Sequence, residues 1–296
     1  MSLGKRVSLI VLLTLAMLLV TMSLFVDRFI VQEFRAHDTA TLQRHIERVQ
    51  GAFKNMEQQL AAKMIDWAQW DDSYEFIQSG NPQYIHENLN FLTLSALGLQ
   101  HMVYFDSAGN PAYPYEVFPR EERVASVPSA TLETLRTAPL AQRASDTPTT
   151  GLLQLGQSLV LFASSPILDS KREKEARGTL LGTVAINPAM LKTLAEQTNL
   201  SLSALRIGVD QIGAIEADAL NKLTAGGKTS IREVNQDLLH GYGLLNDSNG
   251  KPVLLFRVDK PRTSYQQALN LRHIMRASLV VAGLLWAALA LSLIHI

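Results

Sequence analysis

Two long apolar runs bracket a polar stretch, and inside that stretch the period of the apolar residues changes from helical to strand-like. Residues 7–26 hold no charge over 20 positions, and residues 277–294 hold none over 18. At ~1.5 Å rise per residue, each run crosses the ~30 Å hydrocarbon layer of a bilayer as a helix. The pattern predicts two membrane spans, 7–29 and 273–296, around a central region of 30–272. A secretory signal peptide has about 7–15 apolar residues followed by a small-x-small cleavage site. The first run is longer, and residues 21–25 offer no such site, so an uncleaved anchor is expected. Lys5 and Arg6 favour a cytoplasmic start for residues 1–6, which sends the central region outward. Arg272, His273 and Arg276 stand just before the second run and argue weakly the other way.

Outward from the first span, apolar residues fall at Leu42, Ile46, Val49, Phe53, Met56 and Leu60, then at Trp67, Trp70, Tyr74 and Ile77. This is a heptad seam interrupted only where Lys63 replaces an apolar residue, and no proline occurs before Pro82. The spacing predicts one helix over 30–78, about 70 Å long if straight. The stripe packs either on its own domain or on a second subunit. Near the membrane no other element offers to cover residues 42–53, so a homodimer seam is expected over Leu42, Ile46, Val49, Phe53, Met56 and Leu60. The aromatic part further out is expected to cover a sheet.

After Asn81 and Pro82 the period changes. Residues 101–105 and 112–115 read as strands around a turn, with Gly109 free to take positive φ and Asp106 able to hydrogen-bond the turn backbone. The phrase D-S-x-G-x-P recurs at 247–252, a match short enough for any Asp-Gly hairpin. Residues 158–163 and 179–186 are strand-like, joined by a charged stretch at 171–175 that reads as a solvated hairpin loop. Residues 189–197 and 214–223 look helical, with Pro188 opening the first; residues 126–150 form a loose excursion with one short helix. The expected fold class is α+β: a long membrane-proximal helix (30–78), then a mostly antiparallel sheet with crossing helices (79–262). A return to the membrane (263–272) follows, and two transmembrane helices flank the whole.

Charge adds an exclusion. Lys plus Arg and Asp plus Glu each number 27, so no basic field for nucleic acid exists. Zero cysteines exclude disulfides, thiol catalysis and cysteine metal sites. No phosphate loop, G-x-S-x-G or His-Glu-x-x-His occurs, and the histidines have no metal-ligand spacing. No catalytic residue, metal or cofactor is expected.

The most specific local text is D-W-A-Q-W-D-D-S-Y-E-F-I at 66–77. At 100° per residue Trp67, Trp70, Tyr74 and Ile77 share one helix face, with Asp66 and Asp71 at its edges and Asp72 and Glu75 pointing away. An aromatic face of this size must be covered. Two carboxylates bordering it could hold a cationic or hydrogen-bonding ligand, or hydrogen-bond the backbone of a facing loop. The ligand-binding candidates are Asp66, Trp67, Trp70, Asp71 and Tyr74, with Tyr104 on the 101–105 strand.

These residues, with Asn81, Tyr84 and Asn88, the strand and turn at 103–109, Pro166-Ile167, the strand around 178–184 and the hairpin at 247–252, resemble the fourth class of CHASE extracellular sensor domains of bacterial receptors. The resemblance covers about residues 30–262. It implies a PAS- or Cache-like sensor of a small-molecule or protein signal, in a receptor of the bacterial inner membrane with the central domain periplasmic. It also implies a cytoplasmic output, first a diguanylate cyclase or cyclic-di-GMP phosphodiesterase, next a histidine kinase. The loop at 171–177 departs from the family by being more charged than a Gly/Asp-rich turn. The final residues 291–296, LSLIHI, resemble the translation of a transposon end used in library preparation, so the native chain is expected to continue into the cytoplasm. The rival class is a membrane-anchored structural or assembly protein that binds a protein partner; a cytoplasmic catalytic domain in the intact gene separates the two.

Overall fold

The computed structural model describes residues 3–25, 28–29, 31–140 and 148–295. The junction residues of the first span at 26, 27 and 30, the part of the 126–150 excursion at 141–147, and the final residue 296 lie outside the described residues. Two compact units share the chain, one made of Met1–His45, Ile231–Gly241 and Asp259–Ile296, the other of Ile46–Ser230 and Tyr242–Val258.

The first helix is α1, Leu3–Phe25, and α2 follows over Val31–Ala68. Three short helices come next: α3 (Asp71–Ser79), α4 (Pro82–Asn88) and α5 (Phe91–Ala96). Their boundaries are written in the sequence. Gly80 ends α3 in the left-handed region at φ 62°, and its N–H reaches the Phe76 carbonyl. Pro82 opens α4 behind Asn81, whose side chain accepts from the Gln83 N–H, and Asn90 caps α5 in the same way at Thr93.

A six-stranded antiparallel sheet then forms from β1 (His101–Asp106), β2 (Pro111–Phe118), β3 (Arg123–Ser126), β4 (Thr149–Leu155), β5 (Ser158–Pro166) and β6 (Gly178–Ala185), in the order β3-β2-β1-β6-β5-β4. Helix α6 (Ser129–Leu140) joins β3 to β4. The β1–β2 turn closes as its residues dictate: Asp106 Oδ1 accepts the Asn110 N–H at 2.8 Å, and Gly109 takes φ 83°. Val103 and Phe105 of β1, Val160 and Phe162 of β5 and Leu181 of β6 pack with Leu135 of α6 in one core. The opposite face meets α2, whose Met64 lies so close to β6 that a Cβ on Gly182 would stand 2.4 Å from its Sδ.

The rest comprises α7 (Pro188–Thr198), β7 (Ser201–Arg206), α8 (Ala214–Thr224), β8 (Ser230–Glu233), β9 (Leu238–Asn246), β10 (Pro252–Pro261) and α9 (Thr263–His295). Its four strands form a second sheet, β7-β10-β9-β8. Ala219 and Leu223 of α8 pack there on Tyr242 and Leu255. The fold is therefore the expected α+β arrangement of a long helix and antiparallel sheet with crossing helices.

Two expectations need correction. The stretch 30–78 is not one helix: α2 stops at Ala68, Trp70 is extended at φ −115°, ψ 133°, and α3 starts at Asp71. The break is held open by a loop, because the Leu168 N–H takes the Ala68 carbonyl at 3.1 Å in place of an intrahelical donor. The seam also differs. Leu42, Ile46 and Val49 are fully buried, Phe53 and Leu60 are 3% exposed, and Met56 is half-buried, all within a single chain. Ile46, for example, faces the backbone of Gly243 on β9, so the face expected to pair with a second copy is occupied by the chain's own domain.

In the first unit α1 packs on α9, with Leu15 and Leu19 against Gly283. Among the described residues one helix, Thr263–Leu289, is long and apolar enough to cross a membrane; Leu9–Phe25 is apolar over a shorter length. The segment 263–272 is the opening of α9 itself, without a separate return.

Candidate functional site

The 66–77 text folds into the break between α2 and α3 and the first turns of α3. Trp67 and Trp70 meet edge to face with centroids 6.2 Å apart, and Trp70 lies 5.9 Å from Tyr84 of α4. Phe76 stacks on Tyr84 at 4.3 Å and touches Tyr104 of β1 at 5.3 Å and Tyr113 of β2 at 4.3 Å. One continuous aromatic wall thus runs from the α2 terminus to the sheet. It is not covered throughout: Trp70 is 37% exposed at the outer end, whereas Tyr104 at the inner end is fully buried.

Hydroxyls line the inner end. Ser73 Oγ and Tyr84 Oη are 2.7 Å apart, and Tyr84 Oη and Tyr104 Oη are 3.1 Å apart. Burial pushes the Tyr104 phenol well above its ordinary value and raises Tyr84 too, so both stay neutral hydroxyls that donate and accept.

The loop between β5 and β6 fastens to α3 beside this wall, at Asp71, Tyr74 and Glu75. Asp71 and Ser170 bind reciprocally: the Ser170 N–H donates to Asp71 Oδ1 at 2.9 Å, and the Asp71 N–H donates to Ser170 Oγ at 3.2 Å. The Ser170 hydrogen bonds hold the Asp71 carboxyl below the usual carboxylate range, with Lys174 and Lys171 adding to the effect. Buried Asp169 shapes the loop by accepting the N–H groups of Glu173 and Lys174, both at 3.0 Å. Residues 171–176 are solvated, yet the loop's end is fastened to α3. Arg177 donates to the Tyr74 carbonyl at 2.8 Å and to Glu75 at 2.9 Å, and its guanidinium carbon stands 3.8 Å from the Tyr74 ring centroid. The Tyr74 hydroxyl in turn donates to the Glu175 carbonyl at 3.2 Å.

Of the six candidates, the fold therefore puts Trp67, Trp70 and Tyr104 in the wall and Asp71 and Tyr74 against the loop beside it, while Asp66 is exposed near the end of α2. Sequence reasoning missed Ser73, Phe76, Tyr113, Ser170 and Arg177. The acidic pair Asp71-Asp72 was the available signal, since carboxylates favour a helix's first turn and so mark a new start there. Two openings lie elsewhere in the same unit. One of ≈ 690 Å³ is lined by Gln100, Ser158, Asn187, Arg206 and Gln211, and one of ≈ 610 Å³ by Ser95, Glu116, Arg120 and Met190. Among the described residues no group of three or more His, Asp or Glu is placed to hold a metal ion.

The model of the CHASE4 domain matches residues 52–205, more than half of the chain. The chain belongs to the CHASE4 domain family. The methanogenesis regulatory histidine kinase FilI of Methanothrix harundinacea (strain 6Ac) is 29% identical over 237 residues, covering 77% of this chain and 26% of FilI. The chain thus spans about a quarter of the length of that curated relative. Among solved structures, the ligand-binding domain of the Campylobacter jejuni chemoreceptor Tlp3 in complex with L-valine is 10% identical, with a TM-score of 0.49, 81% of this chain covered and 99% of that one. The periplasmic domain of Vibrio cholerae LuxQ is 11% identical, with a TM-score of 0.44, 74% of this chain covered and 98% of that one. This CHASE4 chain is an extracellular sensor domain of a signalling receptor.

Proposed function

We propose that the chain is the input region of a two-pass receptor of the cytoplasmic membrane. In this reading α1 and α9 are the spans, the CHASE4 domain faces the periplasm, and output lies on the cytoplasmic side. The observation that carries it is the handover at the end of the domain: β10 ends at Pro261 and α9 begins at Thr263, with Arg262 alone between strand and apolar helix. A change in the sheet therefore has no slack linker in which to dissipate. The similarity to FilI supports a histidine-kinase output, ahead of a cyclic-di-GMP enzyme.

The signal's seat is the outer end of the aromatic wall. Trp70 and Trp67 offer ring faces, Asp71 offers a carboxylate, and the loop carrying Ser170 and Arg177 can open over Tyr74. A ligand suited to it has a flat or apolar body and a cationic or donor group. Binding transmits only if it favours one arrangement of that loop over the other.

Topology is tested with a reporter enzyme active only outside the cytoplasm. Fusions after Pro82 or Gly250 should be active and a fusion before Val7 inactive; the reverse would overturn the two-pass reading. The seat is tested by thermal shift against a panel of amino acids and amines, whose stabilisation grows as RT ln(1 + [L]/Kd). A compound that shifts the parent should shift Asp71→Asn much less. Equal shifts in both would remove Asp71 from the seat.

A further inference from the structure

The first unit contains a buried polar cluster that the sensor reading leaves unexplained. Asp38 of α2 is 0% exposed, and its carboxylate accepts from Lys260 Nζ of β10 and, at 3.1 Å, from the backbone N–H of Tyr265. Tyr265 is the third residue of α9. Helix starts need a side-chain oxygen for the N–H groups of the first turn, ordinarily supplied by the residue just before the helix. Here that residue is Arg262, which has no acceptor in its side chain. Asp38, 227 residues away in the chain, supplies the cap instead.

The same turn of α9 is gripped from other sides. Arg262, 2% exposed, donates to both Glu233 oxygens at 3.0 and 3.3 Å and to the Asn235 carbonyl at 3.2 Å. Gln266 donates to the Gln236 carbonyl at 2.9 Å and to Asp237 at 2.6 Å. The Tyr265 ring has the Arg262 guanidinium 4.0 Å from its centroid and that of Arg35 at 5.0 Å, and Arg35 of α2 also donates to its hydroxyl at 3.2 Å. Burying a carboxylate costs several kcal/mol that only well-placed partners offset, and apolar packing would hold two helices together at least as well. What directional bonds add is a fixed setting: the carboxylate satisfies its lone pairs in one rotation and height of α9 against α2 and loses them in others.

We infer that Asp38, Lys260, Tyr265 and Arg262 form a coupling latch, the element through which α2 sets the position of the apolar helix α9. Movement of α2 carries the α9 start with it while the latch is made, and leaves α9 free to rotate when it is broken. The purpose of the latch rests on the receptor reading above; its measurement needs no signal and no output.

The test uses the full chain in lipid nanodiscs. Amide exchange is followed at residues 263–268, and disulfide formation is followed between Leu19→Cys on α1 and single cysteines at Ala282, Gly283 and Leu284 on α9. In the parent the crosslink should concentrate at Gly283, which faces Leu19. Asp38→Asn keeps an oxygen but loses the charge, and Asp38→Ala loses both. Exchange at Tyr265 and Gln266 should quicken by about tenfold in Asp38→Ala, the loss expected for a missing cap, and by less in Asp38→Asn. In both, crosslinking should spread to Ala282 and Leu284. Tyr265→Phe, which removes only the bond from Arg35, should spread it partially and serves if the Asp38 variants fail to fold. Unchanged crosslinking in the folded variants would overturn the latch, as would exchange that quickens equally across the whole domain. A receptor with no detectable ligand, or with fusions of reversed topology, would sink the sensor reading and leave these results standing.

Discussion

Replacing Tyr84 by phenylalanine cuts the buried hydroxyl chain in its middle and should cost more than cutting it at its end. The wild-type chain makes two bonds, Ser73 to Tyr84 and Tyr84 to Tyr104. Tyr104→Phe removes one of them and leaves Ser73 and Tyr84 paired, a loss of about 1 kcal/mol. Tyr84→Phe removes both and takes the near partner from the Tyr104 hydroxyl, whose side chain has no exposed surface through which water could replace it and which keeps only a weaker approach to Ser73. An orphaned buried hydroxyl adds about 1–3 kcal/mol to the two lost bonds of about 1 kcal/mol each, and with Ser73 near Tyr104 the lower end applies, so about 3 kcal/mol is expected in total. The double variant lacks the stranded group and should regain about 1 kcal/mol over Tyr84→Phe alone. Thermal unfolding followed by tryptophan fluorescence is the assay, because Trp70 lies against Tyr84. At about 2–4 °C per kcal/mol for a domain of this size, the regained stability is measurable. If the double variant melts at or below Tyr84→Phe, the hydroxyls do not act as a chain and the reasoning fails.

Two further outcomes are expected. Burial lowers the His101 imidazole from its ordinary 6.5 to about 4, with Nδ1 2.7 Å from Thr183 Oγ1. The unfolded chain then binds a proton between those values that the folded chain does not, so stability falls as pH drops from 6.5 towards 4 and levels off below. The parent should lose about 3 kcal/mol across that window relative to His101→Gln, read by urea unfolding at a series of pH values; parallel curves would refute it. Gly178→Ala should destabilise by at least about 1–3 kcal/mol, because its Cβ would stand 2.1 Å from the Phe105 carbonyl oxygen, an atom of the neighbouring strand that cannot swing aside. An unchanged melting temperature would show that β1 and β6 can separate there without loss.

What the sequence made legible was local. Asn81, Pro82 and Gly80 wrote their helix boundaries, and Asp106 and Gly109 wrote their turn, because each acts on backbone within four residues. The apolar stripe from Leu42 to Leu60 announced a buried face but not what buries it, since periodicity is the same whether a helix meets its own sheet or a second copy. The β9 backbone that takes Ile46 lies almost 200 residues further on, so nothing near the stripe could reveal it. The break at Trp70 was hidden for a related reason. The heptad runs through it unbroken, while the donor that ends α2 is the Leu168 N–H, a group present in every residue but proline.

The wall and the latch show where a more exact reading could have begun. Asp38 falls four residues before Leu42, on the very stripe that the structure buries, so it is a charge placed where the pattern calls for an apolar side chain. Buried charges persist only with partners in place, and a charge on a core face therefore announces a partner before its identity is known. Arg262, one residue ahead of an apolar helix and equally buried, carries the same message from the other end of the chain. The two deviations stand on α2 and at the start of α9, the two helices that the buried cluster ties together. In a protein whose sheet and helix caps follow their local rules, the residues that break the pattern are those best placed to carry a change from one helix to the other.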